Sequence, residues 1–460
     1  MLSPKVSNYL EANFPRHLGS LCELLAIPSV TNIRDDRDAC QVAAQWLVRY
    51  IHQLGMSAQA IRTSDQEHDR PAVVASLHVD DRLPTLLMYA HYDVQPAEPL
   101  EQWISPPFEP VVRDGMLFGR GVSDDKGQLM VQLMAIEAYL KTGTKLPVNL
   151  KLFYEGEEEV GSPNLGSFMQ ASANLLKADA AVITDVGWIA PDTPSIAYGL
   201  RGLAGLEVIF TGPSRDVHSG SQGGAVRNPI NALAALIASF HDASGRVAVE
   251  GFYDDVLPLS DQERRQWQLL PPSAEDDLAD LGLECFSGGE EGFTPTERRW
   301  ARPTLDCNGI VGGYTGRGAK TIIPSTASVK ITCRLVPNQD PQKIASLLKA
   351  HVQRHTPPGI KAQFIDHASN PPFMADIDSP VIRAGREALA ETTGRQVAMI
   401  RCGGSIGAAE KFQTVLGLKP LLMGFDLPGC RIHSPNECIP LEQIKLAART
   451  IAAFMDKLGR

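Results

Sequence analysis

Four short apolar runs of strand type, Ala72–Val79, Thr85–Asp93, Asn149–Tyr154 and Asp179–Thr184, constrain this chain most, because a strongly helical run, Gly127–Leu140 (GQLMVQLMAIEAYL), falls between the second and third. Strands alternating with helices make an α/β domain with a largely parallel sheet under crossover helices. Upstream, Val6, Leu10, Phe14, Leu18, Leu21, Leu24 and Leu25 recur at helical spacing, so the first thirty residues read as an amphipathic helix. Pro15 lies inside it and is expected to kink or divide it. A second helix is predicted over Asp38–Gly55, closed by its glycine.

The pattern changes after Gly199. Gly202–Phe210 reads as a strand, Ala225–Phe240 as a helix opening at Asn228-Pro229, Ser328–Val336 as a strand, Gln342–His355 as a helix and Ile360–His367 as a strand. A polar stretch rich in Pro, Gly and acidic residues runs from about Ala243 to Pro303. Beyond Pro372 the βα character resumes, with a helix near Ser379–Thr393, strands Gln396–Ile400 and Pro420–Gly424, and a final helix Leu441–Leu458. No internal repeat is visible. The expected architecture is therefore an α/β domain (residues 1–200 and 370–460), its mostly parallel central sheet flanked by helices. A smaller α+β domain at 201–369 interrupts it.

Composition narrows the function classes. Lysine and arginine total 43 against 53 aspartates and glutamates, a formal net charge of −10. No overall basic field or basic aromatic stripe favours nucleic acid or anionic lipid. With 43% hydrophobic and 21% charged residues, disorder, collagen and coiled coil are excluded. Cysteines at 22, 40, 285, 307, 333, 402, 430 and 438 form no CxxC pair, which fits free thiols in a reducing cytosol. The N-terminal residues hold no uninterrupted apolar core and no small-residue cleavage site, and no window approaches about 18 apolar residues. A cytoplasmic protein with neither nucleic-acid nor membrane partners is expected.

The chemistry-bearing residues sit at or just beyond the carboxyl ends of predicted strands, or at strand-to-helix turns, where open α/β sheets place ligands. In Met88–Asp93 (MYAHYD), His91 and Asp93 share one side of a strand. Such a pair can set an imidazole on a metal while the carboxylate orients it, or can be an ordinary hydrogen-bonded strand end. Gly119–Gly127 (GRGVSDDKG) makes a tight turn into the helix, where Asp124 and Asp125 either cap or do chemistry. Two carboxylates make a phosphate loop a poor fit. Glu155–Ser162 (EGEEEVGS) follows an apolar strand, where clustered acids are costly unless a cation or base chemistry needs them; the alternative is a solvated loop. Asp185 ends Ala181–Asp185 (AVITD) and, alone, is a common turn residue. Downstream lie Ile432–Glu437 (IHSPNE), with its single His433, and the Gly403–Ile406 turn (GGSI), which can offer N–H groups to an anion or can simply be tight. Cys430 and Cys438 bracket His433 and read as bystanders.

Together these residues say more than each alone. Two histidines and several carboxylates make a mixed N/O donor set that suits zinc, manganese or cobalt. With one carboxylate bridging, two metals can sit about 3.5–4 Å apart and hold a water. A glutamate not needed as a ligand can deprotonate that water. This is hydrolase chemistry.

The clusters, in this order, resemble the dinuclear-metal exopeptidase family of carnosinase-type cytosolic dipeptidases, glutamate carboxypeptidases, aminoacylases and desuccinylases. The resemblance covers nearly the whole chain and rests on HYDVQP at His91–Pro96, GRGVSDDKG, EGEEEVGS, VITD and HSPNE. Tyr198–Gly202 (YGLRG), Asp216–Gly220 (DVHSG), Gly251–Asp255 (GFYDD), Arg334–Pro337 (RLVP) and the GGSI turn point to its dipeptidase branch. It implies two divalent ions, zinc or manganese with cobalt as a further fit. His91 and Asp185 would hold one, Glu159 and His433 the other, and Asp124 would bridge. Glu158 is implied as general base, Glu157 as a neighbour without a role, and Asp93 as the group orienting His91. His218 resembles a histidine that reaches the active site of the other subunit and helps hold the carbonyl oxygen, which implies a homodimer through a lid-like inserted domain. Arg334, Thr321, Ser405 and Gly404 resemble contacts to the substrate's terminal carboxylate.

Two positions depart from the family pattern: Gly407 where proline usually follows Ile406, and Ile432 where a small residue usually precedes His433. Both bear on specificity more than on chemistry. The expected activity is cleavage of dipeptides or short peptides with a free C-terminus. The alternative is hydrolysis of N-acyl amino acids, including desuccinylation, against which Asp185 counts because desuccinylases of this family tend to carry glutamate there. A non-catalytic metal-stabilised binding protein would be favoured by loss of Glu158 or a ligand, and none is missing.

Overall fold

Three buried strands, Thr85–His91, Asn149–Glu155 and Ala180–Ile183, run parallel with their carboxyl ends on one edge of a sheet. The computed structural model describes residues 2–31, 37–64, 70–271, 278–279 and 281–460. It divides into two units, Met1–Tyr198 with Ala375–Ile400 and Gly407–Arg460, and Gly199–Met374 with Arg401–Ile406.

In the first unit the sheet runs Ser57–Ile61, Ala72–Leu77, Asn149–Glu155, Thr85–His91, Ala180–Ile183, Leu421–Leu422, then Ser195–Leu200, the strand on which the chain leaves the unit. The parallel character expected from the alternation holds through the middle, including Leu421–Leu422 against Ala180–Ile183. Both flanks are antiparallel. The connection between Ile61 and Ala72 is too short for the crossover that a parallel pair requires, so those two strands can only pair antiparallel.

The helix Lys126–Thr142 is buried from Lys126 to Tyr139. It packs on Thr85–His91 beneath the helices Pro4–Leu25 and Leu441–Leu458, which is why its sequence is apolar all round. Its Glu137 accepts hydrogen bonds from Tyr9 (2.7 Å) and Tyr50 (3.2 Å) and pairs with Arg16, tying three helices together. Pro15 does not divide the first helix, which runs unbroken over Pro4–Leu25. Pro15 and Glu11, whose carbonyl loses its partner, are both exposed, so the missing bond falls on the solvent side of the helix, where it costs least.

The second unit is an antiparallel sheet in the order Thr304–Gly312, Thr326–Leu335, Gly202–Thr211, Lys361–Asn370. Helices Pro229–Ala238 and Pro341–His355 close its core over Leu206, Val208, Phe210, Leu236, Val329 and Leu348. The strand Thr304–Gly312 is absent from the sequence reading. Its run, TLDCNGIVG, carries a register shift between Cys307 and Gly309 that breaks the two-residue alternation. Among its described residues, the polar stretch before it includes the short helices Asp261–Trp267 and Pro295–Ala301, each opened by a complete capping box. Arg401–Ile406, assigned by the sequence to the larger domain, goes with this unit because the Arg201 N–H donates to the carbonyls of Cys402 and Gly404.

Candidate metal centre

Because the central strands end in register, the segments that follow them emerge at one edge of the sheet, and the acids they carry meet there. His91 closes its strand with no exposure, and its N–H donates to Asp125 Oδ2 at 3.1 Å. Its Nδ1 donates to the Asp93 backbone carbonyl at 3.0 Å, with Asp93 Oδ1 at 3.4 Å. That leaves Nε2 facing Asp124 Oδ1 at 2.9 Å and Asp185 Oδ1 at 4.0 Å. The other Asp124 oxygen lies 2.8 Å from His433 Nε2, which is also 3.2 Å from Glu159 Oε2. One carboxylate thus stands between two imidazoles, an oxygen toward each.

Glu158 and Glu159 sit in the single 3-10 turn Glu158–Val160 after strand Asn149–Glu155, and Gly161 ends the turn at φ +83°. The Asp93 carboxylate receives the N–H groups of both residues (3.3 and 3.0 Å) and the Thr31 hydroxyl (3.0 Å), so it fixes the acidic turn as well as bordering His91. Glu157 points away and accepts from Asn164.

The electrostatics are those of a crowded anionic pocket. Burial, reinforced by the Asp93, Asp124 and Glu159 charges, pushes Glu158 up to about 7. Asp185 rises well above the usual carboxylate range through burial beside Asp124, Asp125 and Glu158. Burial also opposes ionisation of Asp124, but the hydrogen bonds of His433 and His91 outweigh it and hold that carboxyl low. His433 is raised to about 10 by Asp124 and Glu159. Glu159 Oε1 is buried without a partner. Two triplets, His91–Glu158–Asp185 and Asp124–Glu159–His433, each bring their donor atoms within 4.8 Å. Carboxylates this concentrated, facing imidazole nitrogens and with an orphaned oxygen, fit divalent cations.

The remaining expected site residues lie in the second unit, in two groups. Arg334 Nη1 donates to Ser405 Oγ (3.1 Å), and that hydroxyl donates to the Arg201 carbonyl (2.6 Å); Arg201 Nε donates to the Gly403 carbonyl (3.0 Å) beside Gly404. His218 and Thr321 meet at a two-stranded ribbon, where the Ser219 N–H donates to the Thr321 carbonyl. His218 Nδ1 accepts the Gly220 N–H at 2.9 Å, which places the neutral ring's proton on Nε2.

Two residues of these clusters, Arg201 and Glu437, have no role in the sequence reading, and a third, Asp125, takes a different one from the helix cap weighed there. Arg201 stitches the Gly403–Ser405 turn, Asp125 receives the His91 N–H, and Glu437 holds the backbone of the Asp124 turn. All three lie inside quoted motifs, but their partners are far away in sequence.

An α/β unit that gathers carboxylates at its strand ends around one buried and one half-exposed imidazole is the frame of a metal-dependent hydrolase. The chain belongs to peptidase family M20/M25/M40, whose sequence profile matches residues 87–457. It is 30% identical to a Cys-Gly metallodipeptidase of Candida albicans over 97% of this chain and 95% of that protein. It is likewise 30% identical to human Beta-Ala-His dipeptidase, over 100% of this chain and 93% of the other. Among solved structures, the dipeptidase Dug1p of Saccharomyces cerevisiae matches with TM-score 0.83 and 28% identity over 99% of this chain and 98% of that one. The metallo-carboxypeptidase Sso-CP2 of Sulfolobus solfataricus matches with TM-score 0.85 and 33% identity over 96% and 99%. Among the described residues no helix is long and apolar enough to cross a membrane.

Proposed function

We propose that this enzyme is a dinuclear metallopeptidase that cleaves dipeptides or short peptides with a free C-terminal carboxylate. The observation that carries the reading is the Asp124 carboxylate, with Oδ1 at 2.9 Å from His91 and Oδ2 at 2.8 Å from His433. His91 and Asp185 would hold one divalent ion, Glu159 and His433 the other, and Asp124 both; zinc, manganese or cobalt suits the donors. When bound, such a pair of ions supplies an acidified water and polarises the scissile carbonyl. Glu158 takes the proton from the attacking water as its oxygen bonds to the carbonyl carbon, then gives that proton to the amine nitrogen as the C–N bond breaks. A carboxyl near 7 suits both transfers. Arg334, Ser405, Gly404 and Thr321 hold the terminal carboxylate, and His218, protonated on Nε2, donates to the carbonyl oxygen.

We place His218 in the site of a partner subunit within a homodimer. Support comes from the edge strand Thr304–Gly312, which leaves Ile310 62% and Val311 68% exposed, a template for pairing with another chain. The eight free cysteines fit a cytoplasmic home. Metal analysis of the purified protein, with a hydrolysis screen over dipeptides, tripeptides and N-acyl amino acids, tests the reading. Two ions per chain and preferential dipeptide turnover are expected; turnover confined to N-acyl amino acids would replace the peptidase reading with an amidohydrolase.

A further inference from the structure

We infer that Glu437 is a positioning residue for the metal centre: its carboxylate clamps the Gly121–Asp124 turn and so presents Asp124 to both histidines. This rests on the metal reading above and assigns a device within it. Glu437 is completely buried. Its Oε1 accepts the N–H groups of Ser123 (2.9 Å) and Asp124 (3.1 Å). Its Oε2 accepts the Gly121 N–H (2.9 Å) and Arg120 Nη1 (2.8 Å). Its backbone carbonyl accepts the Gly119 N–H (3.0 Å), and Ser123 Oγ donates to the next carbonyl, that of Cys438 (3.1 Å).

The turn is built to converge on that carboxylate. Gly121 has φ +85°, and a Cβ there would lie 2.5 Å from Val94 Cγ1, so only glycine lets the N–H groups curl inward. With its backbone N–H tied back to Glu437, Asp124 directs its side chain the other way, toward His91 and His433. The segment that carries the clamp also carries His433, so one loop supplies an imidazole and orients the carboxylate opposite it. Arg120, itself buried, balances the Glu437 charge and anchors to the Pro96 carbonyl (3.1 Å), so the clamp adds order without adding net charge.

A Glu437→Gln side chain has one acceptor oxygen for four donors and turns N–H groups toward backbone N–H groups. Groups that orient metal ligands typically govern affinity by about 10–100-fold. The test is calorimetric titration of chelator-stripped protein with zinc and with manganese, using wild type, E437Q, E437D, the double variant R120M/E437Q and E137Q. We expect E437Q and R120M/E437Q to bind about 10–100-fold more weakly than wild type, with excess metal restoring much of the turnover. E437D, which keeps the charge but shortens the reach, should also lose affinity and decides the matter if E437Q does not fold. E137Q, destabilised through a distant helix network, should keep wild-type affinity, which separates positioning from general loss of stability. Wild-type affinity in E437Q or E437D overturns the inference. So does recovery in the double variant, which would assign the effect to an unpaired Arg120 charge. A wild-type chain that binds neither ion overturns the metal reading itself.

Discussion

Asp124 offers one oxygen to each of two imidazoles, and Glu158 lies beside it with a carboxyl lifted toward neutrality, so environment separates the two carboxylates in the way the proposed roles of ligand and base require. Glu158→Gln keeps size and removes the proton acceptor; kcat should fall about 10²–10⁴-fold while bound metal, read by elemental analysis, stays the same. More than roughly a tenth of wild-type turnover would point to another base. The motifs holding His91, Asp124, Glu158 and Glu159 were legible as polar clusters beside apolar runs, whereas Asp185 and His433 gained weight only through the family resemblance. The grip of Asp93 on the Glu158 and Glu159 N–H groups and of Glu437 on the Asp124 turn was not, because each is a contact between segments far apart in sequence.

At the scale of elements, the helices read well where periodicity was long, and the last one, Leu441–Leu458, matches residue for residue. What periodicity could not give was the burial of Glu137 at the meeting of three helices. Burial works against its ionisation, but bonds from His17, Tyr9 and Arg16 hold its carboxyl down to about 2. Its folded value lies below the unfolded value near 4.5, so it stabilises above that pH and the contribution is lost as pH falls toward 2. Glu137→Gln leaves the half-exposed Arg16 guanidinium and the Tyr9 and Tyr50 hydroxyls without their anion and should destabilise by about 2 kcal/mol at neutral pH. In thermal melts of metal-free protein, the gap between wild type and variant should hold down to about pH 5 and close toward pH 2. A gap that widens on acidification would contradict this sign.

At the scale of the whole molecule, bound cations stabilise only the folded chain. Zinc or manganese at about 100 times its dissociation constant should add about 2.7 kcal/mol, seen as a higher unfolding midpoint that chelator reverses. If His218 works in the partner's site, mixing inactive His218→Ala with inactive Glu158→Gln subunits should recover up to about a quarter of wild-type activity after exchange, for independent sites. No recovery after verified exchange, or a fully active monomer, removes His218 from the catalytic set. The sequence by itself determined the α/β class and the polar clusters at the strand ends, because burial periodicity and the cost of acids beside apolar strands are local properties. Only the tertiary structure decided that Leu421–Leu422 turns antiparallel against Ser195–Leu200, that Thr304–Gly312 joins the second sheet, and that the Glu437 carboxylate meets the backbone of the Asp124 turn. Strand direction, edge pairing and carboxylate hydrogen bonds depend on which distant segments become neighbours, and no local pattern encodes that choice.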